Sequence, residues 1–152
     1  MSARVKKILA ISSGGGHWVQ LVRLLPAFEG HDVVFATVHS SYQADIREGC
    51  FYVVADATRW DRLGLLRLAF QILRILLRER PDVIVSTGAA PGYLALRLGR
   101  LLGAKTVWLD SIANVEKLSL SGRKIGPYAD LWLTQWTQLA KPQGPRCEGS
   151  VL

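Results

Sequence analysis

The chain has 152 residues, 49% of them hydrophobic, which suits one domain with a sizeable core and excludes a disordered or fibrous chain. Nineteen Lys and Arg against twelve Asp and Glu leave a formal charge of +7, favouring polyanionic partners without choosing among them. Cys50 and Cys147 stand at no metal-binding spacing and suit a reduced compartment.

Val5–Ile11 is a short apolar run that reads as a buried strand and ends in Ser12-Ser13-Gly14-Gly15-Gly16. The run is too short for a signal-peptide core. His17–Phe28 follows with helical spacing, then a turn at Gly30 and a second strand over Val33–Val38. A short polar helix around Tyr42–Glu48 leads to a third strand, Phe51–Ala55. Leu63–Arg78 reads as a long helix, stopped by Pro81 before a fourth strand at Val83–Val85. Thr87–Gly92 is a second small-residue loop, and Tyr93–Leu102 another helix with Gly103 as its C-terminal cap. Thr106–Leu109 is a fifth strand, Ser119–Gly126 a loop, and Leu131–Thr134 a sixth strand. The first 140 residues read as one domain. Residues 141–152, rich in Pro and Gly, read as a weakly ordered tail open to a partner contact. No stretch of about 18 apolar residues reads as a spanning helix, so membrane contact is expected from the side.

Strands alternating with helices predict an α/β, Rossmann-like parallel sheet with helices on both faces. In such sheets ligands sit beyond the carboxyl ends of the strands, where strand order reverses. With strand order 3-2-1-4-5-6, strands one and four meet at that reversal, and both are followed by glycine-rich loops.

The first loop, Ser13, Gly14, Gly15 and Gly16, lets backbone approach a ligand closely, and the helix behind it presents unpaired N–H groups suited to phosphate. It matches neither a P-loop nor the dinucleotide fingerprint, and a plain packing turn is its other reading. Thr87, Gly88, Gly92 and Tyr93 make a similar cradle, with a simple helix start as the alternative. His17, where the first loop meets its helix, is placed to take a proton from a sugar hydroxyl, or only to hydrogen-bond the ligand or the backbone. Asp110, ending strand five, can bind a hydroxyl or orient a base; an N-cap or a surface ion pair is its alternative. Glu116 is a further candidate base. His31 and His39 lack a ligand partner at metal spacing, so no metal site is expected.

In Leu63–Leu77 the polar side chains are Arg67, Gln71 and Arg74, spaced by four and three, so they form one narrow stripe. A surface helix buries an apolar face about 100° wide, and this one carries far more. The excess meets a membrane interface, a partner protein or a second layer of the same chain. Trp60, Arg62, Leu66, Arg67, Phe70 and Arg74 are the expected contacts if a membrane is met. Nucleic acid is not expected, because the basic residues lie on an apolar helix and no base-stacking surface is evident.

Four segments resemble the Alg14 family and its bacterial PssD/CpsF-type counterparts in capsule and exopolysaccharide synthesis. They are Ser-Gly-Gly-Gly-His at 13–17 with Gln20-Leu21, Arg-Pro-Asp-Val-Ile-Val-Ser-Thr-Gly at 80–88, Leu-Ser-Leu-Ser-Gly-Arg at 118–123, and Ala129-Asp130 with Gln135-Trp136. The layout also resembles the N-terminal half of MurG, a GT-B enzyme. The resemblance implies the acceptor half of a GT-B fold, in an inverting, metal-independent glycosyltransferase with no cofactor. It implies an Alg13/PssE-like donor-binding partner, a UDP-sugar donor such as UDP-GlcNAc or UDP-GlcA, and a lipid-pyrophosphate-linked sugar acceptor. The missing N-terminal anchor points to peripheral attachment at the cytoplasmic face of a bacterial inner membrane. The segment Asp110–Glu116 departs from the usual Glu-Ser form, which bears on the acceptor sugar. A non-catalytic scaffold that recruits a catalytic partner chain is the alternative, and a free-standing nucleotide-sugar enzyme a second.

Overall fold

A computed structural model describes residues 4–151, so expectations about the first three residues and Leu152 lie outside the described residues. The strands are β1 (Lys7–Ile11), β2 (Asp32–Thr37), β3 (Cys50–Val53), β4 (Val83–Ser86), β5 (Lys105–Leu109), β6 (Leu131–Thr134) and β7 (Arg146–Cys147). The helices are α1 (Gly16–Arg23), α2 (Arg62–Glu79), α3 (Ala89–Leu101) and α4 (Leu120–Ile125). All strand pairs are parallel, in the order β3-β2-β1-β4-β5-β6-β7. The reversal falls between β1 and β4, where Ile8 pairs with Val83 and Ile11 with Ser86.

The apolar strands are buried on both faces, as a parallel sheet requires. Leu9, Ile11, Val34, Ala36 and Ile84 point to one face and meet Leu68, Ile72 and Leu76 of α2 and Ala95 and Leu96 of α3. Ile8, Ala10, Phe35 and Val85 alternate to the other face, under Trp18 and Leu21 of α1 and Phe28.

The helix expected to run on to Phe28 stops at Arg23. A 3-10 turn over Leu25–Phe28 replaces its end, because Pro26 cannot continue the ladder. Two further differences follow from short-range chemistry. Residues 119–126, expected as a loop, contain α4, nucleated by Ser119, whose Oγ accepts from Gly122 N at 2.9 Å. The tail, expected to be weakly ordered, contributes β7, with Arg146 paired to Leu133 and Cys147 to Thr134. Two paired residues leave no periodicity for a sequence reading to detect.

Candidate functional site: two glycine loops at the sheet reversal

Because Ile11 and Ser86 are register partners, the loops after β1 and β4 leave the sheet side by side. Gly15 takes φ +66 and turns the chain into α1. Gly88 takes φ +148 ahead of α3, and Ala89, the first residue of that helix, φ +67. A non-glycine residue in the left-handed region is strained, and such strain gathers where a backbone must be aimed.

The loops touch. Thr87 Oγ1 donates to the His17 carbonyl at 2.6 Å. The His17 ring lies against Gly88, where an added Cβ would stand 2.6 Å from Cδ2 and 2.7 Å from Nε2. Ser13 Oγ and His17 Nδ1 are hydrogen-bonded at 2.8 Å. When Nδ1–H is the donor, Nε2 carries the lone pair, on the side of the ring that lies against Gly88. Burial holds the imidazole below its ordinary pKa, and the Asp110 carboxylate pulls weakly the other way. The ring is therefore neutral at pH 7 and able to accept a proton.

On the far side, Gly14 packs against His39 and the Tyr42 hydroxyl, and Gly15 N donates to Tyr42 Oη at 2.9 Å. Tyr42 in turn stacks on buried Trp18 at 5.2 Å. Gly15 and Gly16 are exposed, and an added Cβ on either meets nothing within 4 Å. The first-turn amides of Gly16 and His17 have no acceptor among the described residues, and neither do those of Ala89 and Ala90. Two neighbouring helix starts thus leave four N–H groups without a protein acceptor among the described residues, a setting for an anion.

The structure gathers Ser13, Gly14, Gly15, Gly16, His17, Thr87 and Gly88 and separates the rest. Helix α3 starts at Ala89, not at Tyr93, so Gly92 and Tyr93 belong to the helix. Gly92 is buried against Ser86 Oγ and Trp108, and its missing side chain serves packing. Tyr93 packs on the core.

Asp110 is 1% exposed and is neither an N-cap nor a surface ion pair. Its oxygens accept from Trp108 Nε1 at 3.1 Å, Asn114 Nδ2 at 3.1 Å, Ser119 N at 2.9 Å and Ser119 Oγ at 2.5 Å. A carboxylate so committed holds the loop from Ser111 to Ser119 in shape and has no lone pair to offer as a base. Glu116 lies exposed on that loop. His31 Nδ1 accepts from Lys6 N, and no cluster of metal-ligating residues occurs among the described residues.

Helix α2 keeps its excess apolar surface outside. Leu68, Ile72, Ile75 and Leu76 face the sheet, while Leu63 is 80%, Leu66 68% and Phe70 62% exposed. The second-layer reading fails on these exposures. Arg62, Arg67 and Arg74 are exposed on the same outer side, and Trp60 stands just before the helix with Arg59 4.5 Å above its ring. Gln71 leaves the polar stripe to accept from Ala55 N at 2.7 Å. Since β3 and β4 are parallel, α2 starts at the rim that carries the two loops. No helix among the described residues is long and apolar enough to cross a membrane.

Sequence reasoning used Gln20 and Gln135 only as parts of a resemblance. Both are buried in the structure and join α1 to the ends of β5 and β6. The available signal was a glutamine between two inward-facing apolar residues, Trp18 and Leu21.

A parallel sheet whose two glycine loops close on each other at the strand reversal defines a Rossmann-like half-domain of the GT-B type. The profile of the Glycosyl transferase 4-like domain family matches residues 14–146, and the chain belongs to that family. It is 28% identical, over an alignment 168 positions long with its gaps, to the "UDP-N-acetylglucosamine transferase subunit ALG14" of Eremothecium gossypii, covering 90% of this chain and 75% of that one. It is 34% identical over 82 residues to the subunit of the same name from Yarrowia lipolytica, covering 50% of this chain and 38% of that one. A stretch of 67 residues is 42% identical to the Schizosaccharomyces pombe subunit. The Y. lipolytica and S. pombe matches span only 38% and 31% of those relatives. Among solved structures, MurG from Acinetobacter baumannii superposes with a TM-score of 0.72 at 12% identity, over 95% of this chain and 44% of MurG. A putative UDP-N-acetylglucosamine 2-epimerase from Listeria monocytogenes gives 0.69 at 13% identity, over 90% and 40%. These two share the fold.

Proposed function

We propose that this chain is the acceptor-binding, membrane-associating half of a two-component glycosyltransferase. It works peripherally at the cytoplasmic face of a bacterial inner membrane, in polysaccharide or glycolipid synthesis. An Alg13/PssE-like partner chain binds a UDP-sugar, UDP-GlcNAc or UDP-GlcA. The cleft between Gly14–His17 and Thr87–Ala89 receives a lipid-linked sugar pyrophosphate.

The observation that carries this reading is the contact between His17 and Gly88, which makes one site of two loops. First-turn amides on both sides meet the pyrophosphate. His17 Nε2 takes the proton of an acceptor hydroxyl as its oxygen bonds to the anomeric carbon. UDP leaves from the opposite face with the bonding pair, so the configuration inverts. The exposed face of α2, which starts at the same rim, meets acyl chains with Leu63, Leu66 and Phe70 and lipid phosphates with Arg62, Arg67 and Arg74.

The deciding experiment is sugar transfer by the reconstituted pair to a lipid-pyrophosphate-linked acceptor. With acceptor saturating, His17→Ala is expected to lower kcat by about 10²–10⁴-fold, the usual contribution of a general base. Unchanged turnover removes the base role and leaves exposed Glu116 as the alternative. Full activity of the partner chain alone would make this chain a scaffold.

A further inference from the structure

Helix α1 fills its inner face with Trp18 and Leu21, and Gln20 is buried with them at 5% exposure. A leucine would fill the same volume and require no partners. A buried amide left unpaired is costly, so its bonds reveal what it holds.

Gln20 makes its side-chain bonds outside its own helix. Nε2 donates to Ser111 Oγ at 3.2 Å. Oε1 accepts from Ile112 N at 3.1 Å and from Gln135 Nε2 at 2.5 Å. Gln135 Nε2 also donates to the Asp110 carbonyl at 3.0 Å, and Gln135 Oε1 accepts from Val151 N at 2.9 Å. Arg23, one helical turn... after Gln20, donates to the Val151 carbonyl at 3.1 Å. One side chain on the helix that carries His17 thus reaches the start of the loop after β5, the end of β6 and, through Gln135, the tail.

The loop from Ser111 to Ser119 has further anchors. Asp110 binds Asn114 and Ser119, and Trp136 Nε1 donates to the Ile112 carbonyl at 2.7 Å. Those anchors tie the loop to itself and to β6. Among the described residues, the side-chain hydrogen bonds between α1 and this loop are the two made by Gln20. Gln20 follows His17 by three residues, so the two are neighbours on the helix surface, and any shift of one carries the other.

We propose that Gln20 is a positioning residue for the transfer reaction: it fixes the Ser111–Glu116 loop against α1 and so holds His17, one turn earlier on the same helix, in register with the loop after β5. The proposal rests on the acceptor-site reading above. Gln20 acts through Ser111 and Ile112 and touches no substrate. A fully paired amide network gives a defined geometry where an apolar contact would leave the loop free to slide.

The test uses the reconstituted pair with Gln20→Leu, which keeps volume and removes the bonds, and with Ser111→Ala, which removes one acceptor. Acceptor kcat/KM is expected to fall roughly 10–100-fold, because a small misplacement is enough to cost this much. The donor KM stays at its wild-type value, while the melting temperature of Gln20→Leu falls because Ile112 N loses its acceptor. The double variant loses less than the sum of the two single variants, since the bond between Gln20 and Ser111 is common to both, while Ser111→Ala also breaks the bond from Ala113 N. Wild-type acceptor kinetics in both single variants overturn the proposal. So does a parallel loss of donor and acceptor kinetics that follows a falling melting temperature. If Gln20→Leu does not fold, Ser111→Ala decides alone, and unchanged acceptor kcat/KM overturns the assignment. If the wild-type pair transfers nothing, the functional reading fails instead. The coupling is then read by hydrogen exchange, where Gln20→Leu must accelerate both 111–116 and 13–17, and no change at 13–17 overturns it.

Discussion

The His17 imidazole is held at one nitrogen by Ser13 and has its other nitrogen against Gly88. Its lowered pKa has a definite sign in a rate profile. Burial disfavours the charged ring, so His17 stays neutral as pH falls past the ordinary value of 6.5. The acid limb of acceptor kcat/KM is expected below pH 6.5, and a limb above it would contradict a buried base. The same shift lets the unfolded chain take the proton first. Stability from the neutral ring is therefore complete above 6.5 and lost as pH falls through that region. The two glycine loops separate by substitution. Gly88→Ala forces a Cβ into the His17 ring at φ +148, so it is expected to cost about 1–3 kcal/mol in denaturant unfolding. Gly16→Ala meets nothing within 4 Å and stays within about 0.5 kcal/mol of wild type. If backbone at Gly16 lies against a phosphate, the same methyl weakens acceptor binding without touching stability. Acceptor titration against both variants checks the contrast, and tight binding by Gly16→Ala would remove the cradle.

At the scale of elements, α2 shows what periodicity can carry. Its sixteen central positions from Leu63 to Arg78 repeat often enough that the surplus of apolar side chains could be counted before any coordinates, and the surplus is found on the outside. The Asp61 side chain caps Gly64 N at 2.9 Å, and Arg80 closes the helix at φ +48 ahead of Pro81, both short-range signals. The site was legible in the same way up to Gly88, because glycine loops after two strands are local features. Asp110 was placed correctly just beyond the end of β5, but its role was not visible, since the role depends on Ser119 and Asn114 folding back onto it. Gln20 was less legible still, because its partners lie 91, 92 and 115 positions away. Helix α4 has six residues, and its Gly122 is there because a Cβ would strike Asp110 and Ser119. The outer face of α2 predicts flotation with anionic vesicles, and the double variant Leu66→Asp/Phe70→Asp is expected to stay in the soluble fraction. Equal flotation of both proteins would exclude this face as the membrane contact. The inner end of α2 makes a different prediction. Glu79 accepts from Tyr52 Oη at 2.5 Å and from Lys7 Nζ at 3.2 Å, which holds its carboxyl below the ordinary 4.5. That stabilisation is complete above pH 4.5 and is lost as pH falls through the lower folded value. Tyr52→Phe is expected to cost about 1.5–3 kcal/mol at neutral pH, with the difference shrinking in acid. A difference that is the same at pH 7 and pH 3 would show that the lost hydroxyl acted through packing alone.

At the scale of the whole molecule, the two loops, the β5 loop and the start of α2 all lie at the carboxyl rim of one sheet. The amides of Gly16, His17, Ala89 and Ala90 have no protein acceptor there, and no second sheet among the described residues closes over them. A nucleotide sugar needs enclosure of its base, ribose and diphosphate to bind well, whereas a lipid-borne pyrophosphate is delivered by the membrane and needs only one wall to be oriented. The single wall therefore predicts a division of labour. Calorimetry with UDP-GlcNAc and UDP-GlcA is expected to show no binding by this chain alone, and binding is expected once a donor-binding partner chain is added. Transfer should rise with added partner and saturate at a fixed ratio of the two chains, and at any ratio it should require acceptor in a bilayer or micelle. Saturable binding of either UDP-sugar to the isolated chain would mean that the glycine cleft is the donor site. The contact between His17 and Gly88 would then hold the donor diphosphate, and the acceptor would have to enter from the side of Glu116.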